Sequence, residues 1–319
     1  MSGSFASSFA QGNSIADRLA ELKKQADKNG DGVISEAEKA AMRKVLEKKM
    51  GKSKGPQSLS KGKDRPGKGG TNGSGPRTGF PEGAKSLFIG HSFFVPVARS
   101  FDQLATASDF PEHEAQTVFS PGPGGSPGQL WENQEQRKKI ESILATGEIE
   151  LFGMTTLGTG GGSLDDYRNW IDLALSYNPR TKIMIGQYWM AKGPSIEDEM
   201  YEKLTEMLGG KGFEDAAALR EEYPNRVYYV HYGHVSSLMK NAFSAGNLPD
   251  ITDLVGKRSG ALFTDANIGH AGPLMHELCA ITWLGELYRA DLTEIAHSDF
   301  SRQAATIARK SIENNEQYR

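Results

Sequence analysis

The chain has 319 residues, 37% of them hydrophobic and 24% charged, with a formal net charge of −3. Its mean hydropathy of −0.51 is that of a water-soluble chain, and its length is enough for about two domains. A pI near 6.2 argues against a nucleic-acid binder, no apolar run reaches the roughly 18 residues of a membrane span, and one cysteine, Cys279, excludes a disulfide framework or a cysteine-rich zinc module.

The first residues, Met1–Asn13, are rich in Ser, Gly and Ala, with no positive n-region and no sustained apolar core. They are not an intact signal peptide but are compatible with the remnant of a trimmed one. A secreted or periplasmic bacterial protein is therefore expected, although a single cysteine is equally compatible with the cytoplasm. Ile15, Leu19 and Leu22 then mark one helical face, and Ala37, Ala41, Val45 and Leu46 a second. Between them residues 27–38 read DKNGDGVISEAE. Asp27, Asn29 and Asp31 occupy positions 1, 3 and 5 of a calcium loop, and Gly32 takes the sharp turn. The Val33 carbonyl, Ser35 (through water) and a bidentate Glu38 complete the oxygen shell that a hard cation requires. The stretch 15–49 resembles an EF-hand, which implies structural calcium with no part in chemistry. It departs from the usual pairing, because no second loop is visible. The alternative is an acidic turn in which Ser35 and Glu38 form a capping box.

Residues 51–79 hold nine Gly, seven Lys or Arg, one acidic residue (Asp64) and one large aliphatic residue, Leu59. Such a segment buries too little apolar surface to offset the entropy of ordering it, and reads as a flexible basic linker. A polyanion contact is its sharper alternative. The expected organisation is thus a helical calcium module over 1–50, a linker over 51–79 and one large domain over 80–319.

In that domain, short apolar stretches alternate with helical ones. Candidate strands are 85–89, 115–119, 149–155, 182–188 and 226–232. Candidate helices are 94–107, 129–145, 164–176, 197–208 and 276–288. The alternation predicts a three-layer α/β/α fold around a mostly parallel sheet.

In AKSLFIGHSFFVPVA the first strand is followed by Gly90, which permits a tight turn, and by Ser92 where a helix begins. Ligands bind beyond the carboxyl ends of strands in open α/β sheets, and helix N–H groups there can hold an anion. That places Ser92 either as a nucleophile or as a helix cap. Late in the chain, ALFTDANIGHAGPLMH puts Asp265 and His270 on one short loop, the side chains a serine nucleophile needs as base and orienting acid.

GHS after a hydrophobic first strand, with a late Asp…His loop leading into a final helix, resembles the SGNH (GDSL-type) hydrolases over residues 84–290. The resemblance implies a flavodoxin-like α/β/α fold and an esterase, lipase or carbohydrate deacetylase activity that needs no cofactor. Carried over, Ser92 is the nucleophile, His270 the base and Asp265 its orienting acid. The oxyanion hole would use the Ser92 N–H, a glycine of GPGGSPGQLWEN (Gly125, or else Gly128) and a third block. There are two departures. Asp265 lies five residues before the histidine instead of three, where Asn267 stands, so Asn267 is an alternative orienting group. The third-block asparagine is missing from TLGTGGGSLDDY, where backbone N–H groups around Gly161 could take its place.

Trp189 and Trp131 are expected at the substrate rim, with core packing as the alternative for each. His231 and His234 lack a nearby carboxylate or cysteine and read as structural, and Cys279 as a buried inert thiol. The expected function is a serine esterase acting on a small ester, such as O-acetyl groups on a carbohydrate. The alternative is a catalytically weak carbohydrate-binding or scaffold relative.

Overall fold

A computed structural model of the chain describes residues 80–156, 163–257, 259–293, 295 and 300–319. The EF-hand-like loop, the basic linker and Gly161 lie outside the described residues.

Five strands form one sheet: β1 (Lys85–Gly90), β2 (Glu114–Phe119), β3 (Leu151–Thr155), β4 (Lys182–Gln187) and β5 (Val227–His231). Their order is β2-β1-β3-β4-β5 and every pairing is parallel. Strands buried on both faces read as continuous apolar runs, and β1, β3, β4 and β5 are buried almost throughout. Edge strand β2 is mostly uncovered, Val118 being its one fully buried residue.

Side-chain alternation along the strands divides the interior in two. Phe88, Leu151, Met184 and Val230 face one core, shared with helices α1 (Val95–Ala107), α6 (His234–Ser244), α7 (Pro273–Trp283) and α8 (Arg302–Asn315). Leu87, Ile89, Phe152, Met154, Ile183, Ile185 and Val227 face the other, covered by α2 (Pro127–Glu132), α3 (Gln134–Leu144), α4 (Leu164–Tyr177) and the second half of α5 (Asp198–Glu222). The result is a three-layer α/β/α fold with a mostly parallel sheet. Its strand order is flavodoxin-like, which places a topological switch point, and hence the crevice for a ligand, between the carboxyl ends of β1 and β3.

Several boundaries differ from the sequence reading. The helix expected over 129–145 is two helices, because the Asn133 side chain accepts from the N–H groups of Glu135 and Gln136 (3.1 and 3.2 Å) and so caps a new helix. The helix expected to stop at Leu208 runs on to Glu222, straight through Gly209, Gly210 and Gly212. Two of these glycines permit close packing on the sheet: a β-carbon at Gly209 would lie 2.5 Å from the His231 ring, and one at Gly212 2.7 Å from Gln187 Oε1. The last expected helix begins three residues early, at Pro273, and from Leu284 to Tyr288 it widens into a π-turn. Helices α6 and α8 and a small parallel pair, β6 (Asp253–Val255) with β7 (Ala261–Phe263), have no counterpart in the sequence reading.

Gly153, in the middle of β3, is the register partner of Phe88, whose ring lies over it on one face of the sheet. A β-carbon there would sit 2.3 Å from Phe88 Cδ1, and the ring is held on its other sides by Phe101 and Trp283 at 5.6 and 5.3 Å. Overpacking of this kind typically costs about 1–3 kcal/mol. Gly153→Ala is expected to lower the unfolding free energy by that amount, read as a lower denaturant midpoint at unchanged slope; a midpoint equal to the parent's would contradict this packing.

Candidate active site

The chain leaves β1 through Gly90 and turns at once into α1, with the N–H groups of Phe94 and Val95 donating to the His91 carbonyl at 3.0 and 2.9 Å. The residue at the helix cap is Phe94, without a side-chain bond to the helix. Ser92 is therefore not the cap. Its hydroxyl is instead 2.8 Å from Nε2 of His270, a residue 178 positions away.

His270 closes a loop that begins at the end of β7. Phe263 bridges Ala271 in antiparallel fashion, and the Thr264 N–H donates to the His270 carbonyl at 2.8 Å. Inside the loop, Asp265 Oδ1 accepts from the N–H groups of Ile268 (2.6 Å) and Gly269 (3.1 Å). Oδ2 accepts from the His270 N–H (3.2 Å) and lies 2.6 Å from His270 Nδ1. The five-residue spacing thus suits a loop that folds around its own carboxylate, with Gly269 at φ +80° making the turn. Asp265 is the group beside His270 Nδ1, and Asn267 is exposed. Burial alone would push the Asp265 carboxyl up, but the three backbone donors and the His270 ring outweigh it and hold the group well below the usual carboxylate range. An ionised Asp265 places the ring proton on Nδ1 and leaves Nε2 to accept from the Ser92 hydroxyl.

The loop after β4 holds this arrangement from behind. Trp189 is fully buried, and its indole N–H donates to the Gly269 carbonyl at 2.9 Å. The Lys192 N–H donates to the Ile268 carbonyl at 2.8 Å. Phe93 stacks on the His270 ring, 5.3 Å between centroids and 29° between planes, and also packs against Trp189 at 4.9 Å. Trp189 is accordingly a support for the histidine loop. It offers no surface to a substrate, contrary to the rim expected from the sequence. Trp131 packs edge-on against Trp170 at 4.8 Å with the Arg137 guanidinium over its ring at 5.3 Å. None of these contacts joins it to Ser92 or His270.

Gly125 and Gly128 separate clearly. A β-carbon at Gly125 would lie 2.7 Å from His91 Cβ and from the Gly90 carbonyl carbon, so this glycine lies directly against the Ser92 turn. At Gly128 it would meet the Asp166 carboxylate at 2.7 Å, which belongs to the capping box of α4. The His270 and Asp265 side chains keep 30% and 33% of their surface in solvent. The three groups are therefore partly open to solvent beyond the carboxyl end of β1.

Sequence reasoning missed His91, Phe93 and Lys192, and the part Trp189 plays behind the histidine loop. Aromatic residues on both sides of Ser92 (His91, Phe93 and Phe94) were the one available signal. His231 and His234 tie strand to helix, as the structural reading expected. His234 Nε2 donates to the Ser311 carbonyl at 2.8 Å, and the two Nδ1 atoms are 3.5 Å apart. A neighbouring cavity of about 40 Å³ has room for water to satisfy the buried His231 Nε2. Cys279 is a buried free thiol. Among the described residues no three His, Cys, Asp or Glu side chains converge to hold a metal, and no helix is long and apolar enough to cross a membrane.

No family model matches the chain, and no curated protein matches its sequence. Among solved structures, the periplasmic domain of a lipopolysaccharide acetyltransferase from Salmonella ser. Paratyphi A is similar over 65% of this chain and 84% of its own, at 10% identity and a TM-score of 0.39.

The depressed Asp265 ionisation fixes the sign of a pH effect. Its carboxylate stabilises the fold above the unfolded aspartate value of roughly 3.9, and that stabilisation is lost as pH falls through the lower folded value. In a carbon-13 titration the Asp265 carboxyl should still be ionised at a pH where exposed aspartates are half protonated. Asp265→Asn should cost stability at neutral pH and progressively less in acid; an Asp265 signal titrating with the exposed aspartates would refute the assignment.

Proposed function

We propose that the chain is a serine esterase in which Ser92, His270 and Asp265 act as a catalytic triad. The observation that carries this reading is the pair of contacts in series, Ser92 Oγ to His270 Nε2 at 2.8 Å and His270 Nδ1 to Asp265 Oδ2 at 2.6 Å. A capping or packing serine needs no such relay. Support also comes from the placement of the hydroxyl at the switch point of the sheet, where the fold leaves a crevice.

As Ser92 Oγ attacks the ester carbonyl carbon, its proton passes to His270 Nε2 and the carbonyl electron pair moves to oxygen. The imidazolium is stabilised by the ionised Asp265 beside Nδ1. Collapse of the tetrahedral intermediate breaks the bond to the alcohol, which leaves with the proton from Nε2. Water, deprotonated by the same nitrogen, then attacks the acyl-enzyme and releases the acid, returning the proton to Ser92. The oxyanion is held by the Ser92 and Gly125 N–H groups, with the Gly161 segment as a further contributor. No metal or organic cofactor enters the chemistry.

The substrate proposed is a small acyl ester carried on a larger molecule, such as an O-acetyl group on a carbohydrate. Supporting it is the third of His270 and Asp265 that stays in solvent, which leaves the crevice open to a bulky alcohol portion. The calcium loop at Asp27–Glu38 is proposed as a structural accessory, and the basic linker as a tether able to touch a polyanion.

Ser92→Ala is expected to abolish hydrolysis of a chromogenic acetyl ester, and the parent, unlike this variant, to be labelled by a fluorophosphonate probe. Unchanged turnover in the variant removes Ser92 from the mechanism, and an unlabelled parent favours a catalytically weak binding relative. Calorimetry of the full chain should show calcium binding that Asp27→Ala eliminates; identical heats in the two proteins would dismiss the calcium loop.

A further inference from the structure

His91 directly precedes the nucleophile, is buried with 8% of its surface exposed, and takes no part in the relay just described. Its Nδ1 accepts the Phe93 N–H at 3.2 Å. In a neutral imidazole the proton must then sit on Nε2. That N–H has one contact, with Thr155 Oγ1 at the end of β3, at a long 3.5 Å. The ring is pinned edge-on against Tyr188 (4.8 Å) and Phe93 (5.9 Å), and Gly125 packs on its β-carbon. The donor thus lies between the end of β1 and the end of β3, on the residue before Ser92 and beside Gly125.

Burial, reinforced by the charge of nearby His270, pushes the His91 ring down to about 4. A neutral ring suits this place. When His270 takes the serine proton, a second imidazolium beside it would be repelled, whereas a neutral N–H can still meet developing negative charge. Buried donors aimed at such charge carry much of the rate acceleration in acyl transfer.

We propose that His91 is a catalytic residue whose neutral Nε2–H donates to the oxyanion of the tetrahedral intermediate. This rests on the reading of Ser92 as the nucleophile. The bond exchanges the long contact with Thr155 for a charge-assisted one and transfers no proton.

The test compares parent, Ser92→Ala, His91→Leu and His91→Gln on 4-nitrophenyl acetate, with circular dichroism melts to verify folding. His91→Leu is expected to lose about 10²–10³-fold in kcat, the usual effect of removing one oxyanion donor, with KM nearly unchanged. His91→Gln, which keeps an N–H at similar reach, should recover most of that loss. Its pH–rate profile should keep the parental shape, because the group it replaces is neutral throughout. Parental kcat in His91→Leu overturns the proposal, as does a folded His91→Gln as slow as His91→Leu, which would assign the residue to packing. A profile whose limbs move in His91→Gln overturns it in favour of a proton-transfer role. An active parent silenced by Ser92→Ala secures the nucleophile separately, so those outcomes sink the His91 assignment alone; an inactive parent sinks both.

Discussion

A single carboxylate organises the candidate site. Asp265 gathers three backbone N–H groups and an imidazole within a six-residue loop. The same oxygens therefore fold the loop and set the ring that faces Ser92. A carboxylate so fully engaged is favoured in its ionised form despite its partial burial. Loop conformation, ring tautomer and local charge are thus determined together. Any change that loosened the loop would also release the ring.

Around this core the supports come from distant parts of the chain. The Trp189 indole reaches the Gly269 carbonyl across 80 positions, and Phe93 fills the space between that indole and the His270 face. Two further histidines, His91 and His276, sit close enough to feel the charge of His270, and burial keeps both neutral, each at about 4.

Much of the architecture was readable from residue order, since parallel strands covered on both faces must be apolar runs such as SLFIG and KIMIG. Helix ends were harder. The glycines of α5 look like terminators but serve close approach to β4 and β5, a fact visible only from the opposing His231 and Gln187. Helix α8 does carry its signal, with Ala304, Ile307, Ala308 and Ser311 buried on one face. In the site, Ser92 and His270 were legible from their motifs, and so was an acid near the histidine. The choice between Asp265 and Asn267 depended on which way a short loop closes. The place of Trp189 depended on a carbonyl far along the chain, and no local pattern encodes such a partner.

The contact of Trp283, at the end of α7, with Phe88 of β1 has a consequence for biosynthesis. Phe88 is covered by Phe94 and Phe101 from the adjoining segment and by Trp283, so part of the packing on the first strand waits until almost the whole domain has left the ribosome. Long-range closure of this kind is slow and leaves apolar surface open to wrong partners in the meantime. A chain ending before α7 would therefore lack the indole that completes the cover of Phe88.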